Sequence, residues 1–163
     1  MNGKNFKTTD LCDNFPDRTI ASGNGSLKSF GQRKIFFGVI HTIRCHENNP
    51  FVKRALEMDG KGKVLVIDGG GSLRVALLGD NLCAIAVRNK WEGIIVNGCI
   101  RDSSEVNKLD IGVLALDTNP VRSGKNDEGE ENTQVNFAGL SFTPGEYIYC
   151  DEDGIVVSKT RLI

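Results

Sequence analysis

Four residues within one short stretch have the types and spacing to handle a small anion and a cation: Asp80, Arg101, Asp102 and Glu105. Asp102 and Glu105 stand three apart, so both carboxylates share one face of any helix that begins there. Together with Asp80 they could supply hard oxygen ligands, direct or through water, for Mg²⁺ or Mn²⁺. Arg101 brings a planar fork suited to carboxylate or keto oxygens. Gly79-Asp80-Asn81-Leu82 reads as the opening of a helix. Free N–H groups at Asn81 and Leu82 would favour an anion there, and Gly79 would let it approach the backbone. The plain alternative is structural. Asp102-Ser-Ser-Glu105 is close to a capping box, Asp80 could cap its own helix, and Arg101 could pair with Asp102 at the surface. Chemistry is favoured because the anion site and the acidic cluster converge on one edge, which suits a small anionic substrate with a divalent metal.

Other candidates are weaker. Gly69-x-Gly71-x-x-Arg74 follows a strand but lacks the third glycine of a dinucleotide fingerprint, and no P-loop is present. Asp151-x-Asp153-Gly154 lacks the remaining ligands of a calcium loop and reads as a hairpin turn. The five cysteines (Cys12, Cys45, Cys83, Cys99, Cys150) show no metal-ligand or CxxC spacing and sit in or beside apolar stretches. They read as small buried hydrophobes rather than nucleophiles. His41 reads as a strand residue, and His46 lies in a polar loop.

These residues need a scaffold that brings segments 69–82 and 98–105 to one edge. Val64–Ile67, Gly93–Asn97 and Val113–Leu116 are continuous apolar runs, as expected of strands buried on both faces. Residues 80–90 between the first two read as a helix with Leu82, Ile85 and Ala86 inward. Strand, helix and buried strand make a βαβ unit, whose ligands bind beyond the carboxyl ends of the strands. Residues 34–45 form a further strand, apolar on both sides. A helix opens at Asn49-Pro50, with Phe51, Ala55, Leu56 and Met58 as its stripe and Gly60 as its stop. A short helix spans 8–14, with Thr8 or Thr9 as cap and Pro16 ending it, and a polar, Gly-rich stretch follows to Asn24. Residues 119–133 read as a polar loop carrying Arg122 and Lys125. Val135–Phe142 and Tyr147–Val157 alternate as antiparallel strands turning at Pro144-Gly145 and Asp153-Gly154. The fold class is α/β: a mixed sheet with a parallel βαβ core and β-rich ends, in a single domain over 1–163.

Composition bounds the function. The chain has 163 residues, with 20 Lys plus Arg against 21 Asp plus Glu, a formal charge of -1. That balance disfavours binding through nucleic-acid phosphates, which needs a basic excess. No apolar run approaches a membrane span, and no apolar segment follows the basic start Met-Asn-Gly-Lys-Asn-Phe-Lys. A soluble, cytoplasmic protein is expected.

Three segments carry a family resemblance: Val64-Leu-Val-Ile-Asp-Gly-Gly-Gly-Ser-Leu-Arg74, Leu77-Leu-Gly-Asp-Asn81 and Gly93-Ile-Ile-Val-Asn-Gly-Cys-Ile-Arg-Asp102. They resemble the family named for regulator of ribonuclease activity A, which also contains the 4-hydroxy-4-methyl-2-oxoglutarate aldolases. Aldolase members carry an Asp, twenty intervening residues, Arg-Asp, two more residues, then Glu or Asp. Here Asp80 precedes residues 81–100, Arg101-Asp102 and Glu105. The similarity runs from about Thr9 to Ser158.

The resemblance implies a three-layer swivelling β/β/α fold and a homotrimer with sites between subunits. It implies metal-dependent cleavage of 4-hydroxy-4-methyl-2-oxoglutarate to two pyruvates, with oxaloacetate decarboxylation through the same pyruvate enolate. On this reading Gly79, Asp80, Asn81 and Leu82 hold the pyruvoyl carboxylate and Arg101 binds the keto end. Asp102, with Glu105, holds the cation, and Asp80 or a metal-bound water handles the proton. Longer aldolases of the family bring a further carboxylate from a neighbouring subunit, and no counterpart is identified among Asp151, Glu152 and Asp153. The alternative the family implies is a non-enzymatic protein that binds and inhibits the ribonuclease machinery.

Overall fold

The computed structural model describes residues 5–163; the basic start at 1–4 lies outside them. The chain opens with α1 (Thr8–Asn14), β1 (Ile20–Gly23), β2 (Lys28–Phe30) and β3 (Phe36–Arg44). α2 (Pro50–Leu56), β4 (Lys63–Asp68), β5 (Ala76–Leu78) and α3 (Asp80–Arg88) follow. Next come β6 (Gly93–Ile100), α4 (Ser103–Val106), β7 (Gly112–Thr118) and β8 (Glu130–Glu131). β9 (Val135–Phe137), β10 (Leu140–Phe142), β11 (Tyr147–Cys150) and β12 (Gly154–Ser158) complete it.

The apolar runs form the parallel core: β3, β4, β6 and β7 lie side by side in that order. β5 pairs with the far end of β6, Ala76 opposite Cys99 and Leu78 opposite Ile100, so it prolongs the row beyond the end of β4. Antiparallel strands extend the sheet on both sides, giving the path β1-β12-β11-β3-β4-β6-β7-β2. β9 and β10 form a separate hairpin.

Both faces of the core are covered, which explains the missing alternation. On one face Leu65, Ile67, Ile94 and Val96 pack against Val52 and Leu56 of α2 and Cys83 and Ala86 of α3. On the other, Val64, Val66 and Ile95 meet Phe142, Ile148, Ile155 and Val157. The β11–β12 end of the sheet therefore curls over the core and, with the hairpin, makes a second β layer. The result is the expected three-layer β/β/α arrangement. Outside it, α1 is seated by Leu11 against Tyr149 and Val156. Among the described residues no helix is long and apolar enough to cross a membrane.

Several local expectations change. The stretch expected to be polar contains β1, and the segment linking β4 to α3 contains β5. Pro144-Gly145 joins strands that do not pair with each other; the hairpin turn is Ala138-Gly139, both at positive φ (53 and 73). Neither Thr8 nor Thr9 caps α1. Lys7 holds that position, while the Thr8 N–H and hydroxyl both donate to Asp151, each at 2.7 Å. α2 ends at Leu56, leaving Met58 exposed, and Gly60 does not stop the helix but makes room for the Trp91 ring. On α3 Ala86 is buried as expected and Cys83 joins it, while Leu82 and Ile85 pack on the core half-buried and also line a cleft.

Candidate active site

Because β3, β5, β6 and β7 run parallel, the segments leaving their carboxyl ends gather on one edge, where α/β sheets bind ligands. They enclose a cleft of about 510 Å³. The β5–α3 junction supplies Gly79, Asp80, Asn81 and Leu82, and the end of β6 supplies Arg101 and Asp102. The start of α2 adds Asn49 and Lys53, and the loop after β7 adds Arg122, Ser123 and Lys125.

The β5–β6 ladder extends into the site, since the Arg101 N–H donates to Leu78 O at 2.9 Å. Asp102 then takes the left-handed conformation (φ 53, ψ 39), which Asp tolerates better than most residues. It occupies the cap position of α4 but makes no side-chain cap bond, so the capping-box alternative does not hold. Its carboxylate is 47% exposed, with Arg101 Nε 3.7 Å away as its ion-pair partner. A Cβ on Gly79 would lie 3.1 Å from Asp102 Oδ2 and 3.4 Å from Arg101 Cγ. The glycine is extended there (φ -140), so the close approach of those two side chains is what it accommodates.

The opening of α3 differs in one respect from expectation. Its first helical bond runs from Cys83 N–H to Gly79 O, leaving the preceding amides outside the helical ladder. One of them, Asn81 N–H, donates to Asp80 Oδ1 at 2.8 Å, so an incoming anion competes with that carboxylate. Glu105 stands apart: it does not line the cleft, and its Oε1 accepts from Lys108 Nζ at 2.9 Å. Among the described residues no three His, Cys, Asp or Glu side chains form a metal-binding group. The arrangement fits a divalent cation held by Asp102 with water completing its shell, the habit of Mg²⁺.

The remaining candidates have structural roles. Gly69 and Gly71 N–H both donate to Asn97 O at 3.1 Å, and Gly70 N–H donates to Asp68 Oδ1 at 3.0 Å. With its amides spent and β5 rather than a helix following, this loop is not built to cradle phosphates. Asp151 clamps α1 and the β11–β12 turn, through Thr8 and the Asp153 N–H. His41 Nε2 lies 2.8 Å from Glu131 Oε1, and the ring packs on Trp91. Burial pushes the Cys45 and Cys83 thiols up to about 12 and raises those of Cys99 and Cys150, so these are not nucleophiles at neutral pH.

Sequence reasoning missed the β7-side wall. Ala76 N–H donates to Val121 O and Gly124 N–H to Glu47 O, both at 2.8 Å, and these bonds fold the polar loop back over the cleft. Such isolated bridges have no local signature. The profile of the RraA-like family (Aldolase/RraA) matches residues 8–157. The chain belongs to the RraA-like family. A Dechloromonas aromatica relative named "Putative 4-hydroxy-4-methyl-2-oxoglutarate aldolase" is 50% identical, covering 96% of this chain and 98% of its own. Two solved structures superpose with TM-scores of 0.93. One, from Geobacillus kaustophilus, is described as an S-adenosylmethionine:2-dimethylmenaquinone methyltransferase and is 44% identical, covering 96% of this chain and 97% of its own. The other, described as the RNA-processing inhibitor RraA from Thermus thermophilis, is 40% identical, covering 98% and 96%.

Proposed function

We propose that this RraA-like chain is a divalent-metal-dependent lyase, an aldolase that cleaves 4-hydroxy-4-methyl-2-oxoglutarate into two pyruvates and also decarboxylates oxaloacetate. The observation that carries the reading is the meeting of Arg101, Asp102 and the α3 opening in one cleft, in a chain half identical to a relative named for that reaction.

The amides at the α3 opening receive the substrate's pyruvoyl carboxylate, as Gly79 leaves the backbone open to it. Arg101 binds the keto oxygen. Removal of the 4-hydroxyl proton lets the C3–C4 bond break: C4 becomes the carbonyl carbon of one pyruvate, and the electron pair passes to C3. The other product is a pyruvate enolate, whose oxygen Arg101 stabilises while C3 takes up a proton. The Asp80 carboxylate at the cleft is the candidate to carry that proton. Mg²⁺ or Mn²⁺, held by Asp102 and water, supplies Lewis-acid stabilisation of negative charge when bound. Glu105 would join the cation only by leaving Lys108. Oxaloacetate, losing carbon dioxide, passes through the same enolate.

The same reading takes the protein to be a cytoplasmic homotrimer. Leu73 and Val121, 54% and 53% exposed and linked through Asn119, offer apolar surface of the kind a subunit contact covers. The test is pyruvate release from both substrates with EDTA, Mg²⁺ or Mn²⁺. Asp102→Ala is expected to lower metal-restored turnover by about 10²-fold or more, with the trimer mass unchanged by light scattering. Turnover no faster than with free metal would sink both activities.

The likeness to the Thermus RNA-processing inhibitor favours a second reading, a protein that binds ribonuclease machinery through its surface. It expects Asp102→Ala to leave ribonuclease inhibition intact.

A further inference from the structure

Asparagine precedes glycine at two places among the described residues, Asn24 and Asn97, and the fold treats them oppositely. Such a pair is a chemical weak point. Glycine has no side chain to shield its amide nitrogen from the carboxamide before it, and its backbone turns freely. Asn97 is locked. It lies in β6 opposite Asp68 of β4, its Nδ2 donates to Asp68 Oδ1 at 2.9 Å, and its carbonyl accepts from Gly69 and Gly71. The strand has to open before Gly98 N can swing onto Asn97 Cγ.

Asn24 begins the turn between β1 and β2. Its carbonyl accepts from Leu27 N–H at 2.8 Å, and Gly25 (φ 56) and Ser26, both exposed, form the tip. Gly25 N–H makes no hydrogen bond among the described residues, so nothing holds that nitrogen away from Cγ. The nearest atom to a Cβ on Gly25 would be Gly23 O at 3.9 Å, which leaves the tip open to water. A single bond restrains the carboxamide, from Nδ2 to Glu152 O at 3.1 Å, while its Oδ1 is buried and unpartnered.

We propose that Asn24 is a site of spontaneous deamidation, and that its conversion releases the β1–β2 turn from the β11–β12 turn. Gly25 N gives its proton to hydroxide and attacks Asn24 Cγ; the Cγ–Nδ2 bond breaks and ammonia leaves. Water then opens the cyclic imide at either carbonyl. The product is aspartate, or an isoaspartate whose main chain runs through Cγ. One water is consumed and one ammonia released. Either product loses the Nδ2 donor, so the bond to Glu152 O cannot re-form. Each also sets a new carboxylate beside the acidic turn Asp151-Glu152-Asp153, where like charge opposes it.

Peptide mapping of the native chain held at pH 8 tests the chemistry, since trypsin places the two asparagines in separate peptides, 19–28 and 91–101. Mass spectrometry reads the change from amide to acid in each, with the chain in urea as reference. In the native protein 19–28 is expected to convert about a hundredfold or more faster than 91–101, whose strand must first open. In urea the two rates should draw together. Gly25→Ala should slow 19–28 and leave 91–101 unchanged. Asn24→Asp, one of the two products made directly, is expected to lower Tm by about 2–4 °C, and Asn24→Ser, which adds no charge, by less. The site is overturned if 19–28 keeps its amide in the native protein over the time in which it converts in urea. Conversion of 91–101 at the same native rate would overturn it equally. The release of the turn is overturned if Asn24→Asp melts with wild type.

Discussion

Gly79 acts through the side chain it lacks. Alanine would be tolerated by its extended backbone but would press on Asp102 Oδ2 and Arg101 Cγ. Gly79→Ala is therefore expected to cost about 1 kcal/mol of stability as a poorer cap, while kcat falls about ten- to a hundredfold as both side chains shift. A thermal melt beside steady-state kinetics checks the pair. Cysteine gives a second residue-scale expectation. Thiolate is the reactive form, and burial raises the thiols of Cys45, Cys83, Cys99 and Cys150 and shields them from reagent. Half-buried Cys12 alone should react with a thiol reagent at pH 8, and a count of released chromophore before and after denaturation would show it. Asp80, Arg101 and Asp102 were legible in the sequence as residues of one cleft, because their spacing suits a βαβ edge. Glu105 was not, since its exposed carboxylate is drawn to Lys108 by one turn of helix. Ser123 left no trace, because its burial, with no partner for its hydroxyl among the described residues, is a fact of packing.

At the scale of elements, the registers of β6 and β7 are set where a ring crosses them. Gly93 and Gly112 are paired opposite one another, and the Phe36 ring fills the space above both. A Cβ on Gly112 would come within 2.2 Å of that ring, and one on Gly93 within 2.3 Å. Gly112→Ala is expected to cost about 1–3 kcal/mol by overpacking. A smaller ring-site residue, as in the Gly112→Ala/Phe36→Leu pair, should return part of it. The urea midpoints of the singles and the double measure the coupling. The core strands β4, β6 and β7 could be read from composition, because burial on both faces selects uninterrupted aliphatic runs. β1 and β5 could not. Their strand character comes from a ready-made edge, β12 for one and the far end of β6 for the other, rather than from their own residues. The Ala138-Gly139 turn was hidden for a related reason, as alanine seldom takes positive φ and the hairpin imposes it.

For the whole molecule, apolar runs with a helical segment between them were enough to indicate an α/β domain. The layer order was not accessible that way, since it depends on which sheet end curls over the core. That curl joins the two ends of the chain. β1 pairs with β12, β3 takes β11 as its outer neighbour, and Thr8 is bonded to Asp151 across 143 residues. Synthesis therefore imposes an order that the finished fold conceals. On a ribosome adding roughly 5–20 residues per second, α1 and β1 emerge well before the β11–β12 hairpin and cannot dock until it is made. For on the order of ten seconds the nascent chain carries an unpaired strand and the bare flank of β3. In a cell α1 and β1 thus stay uncovered until β12, made much later, supplies the edge they dock on.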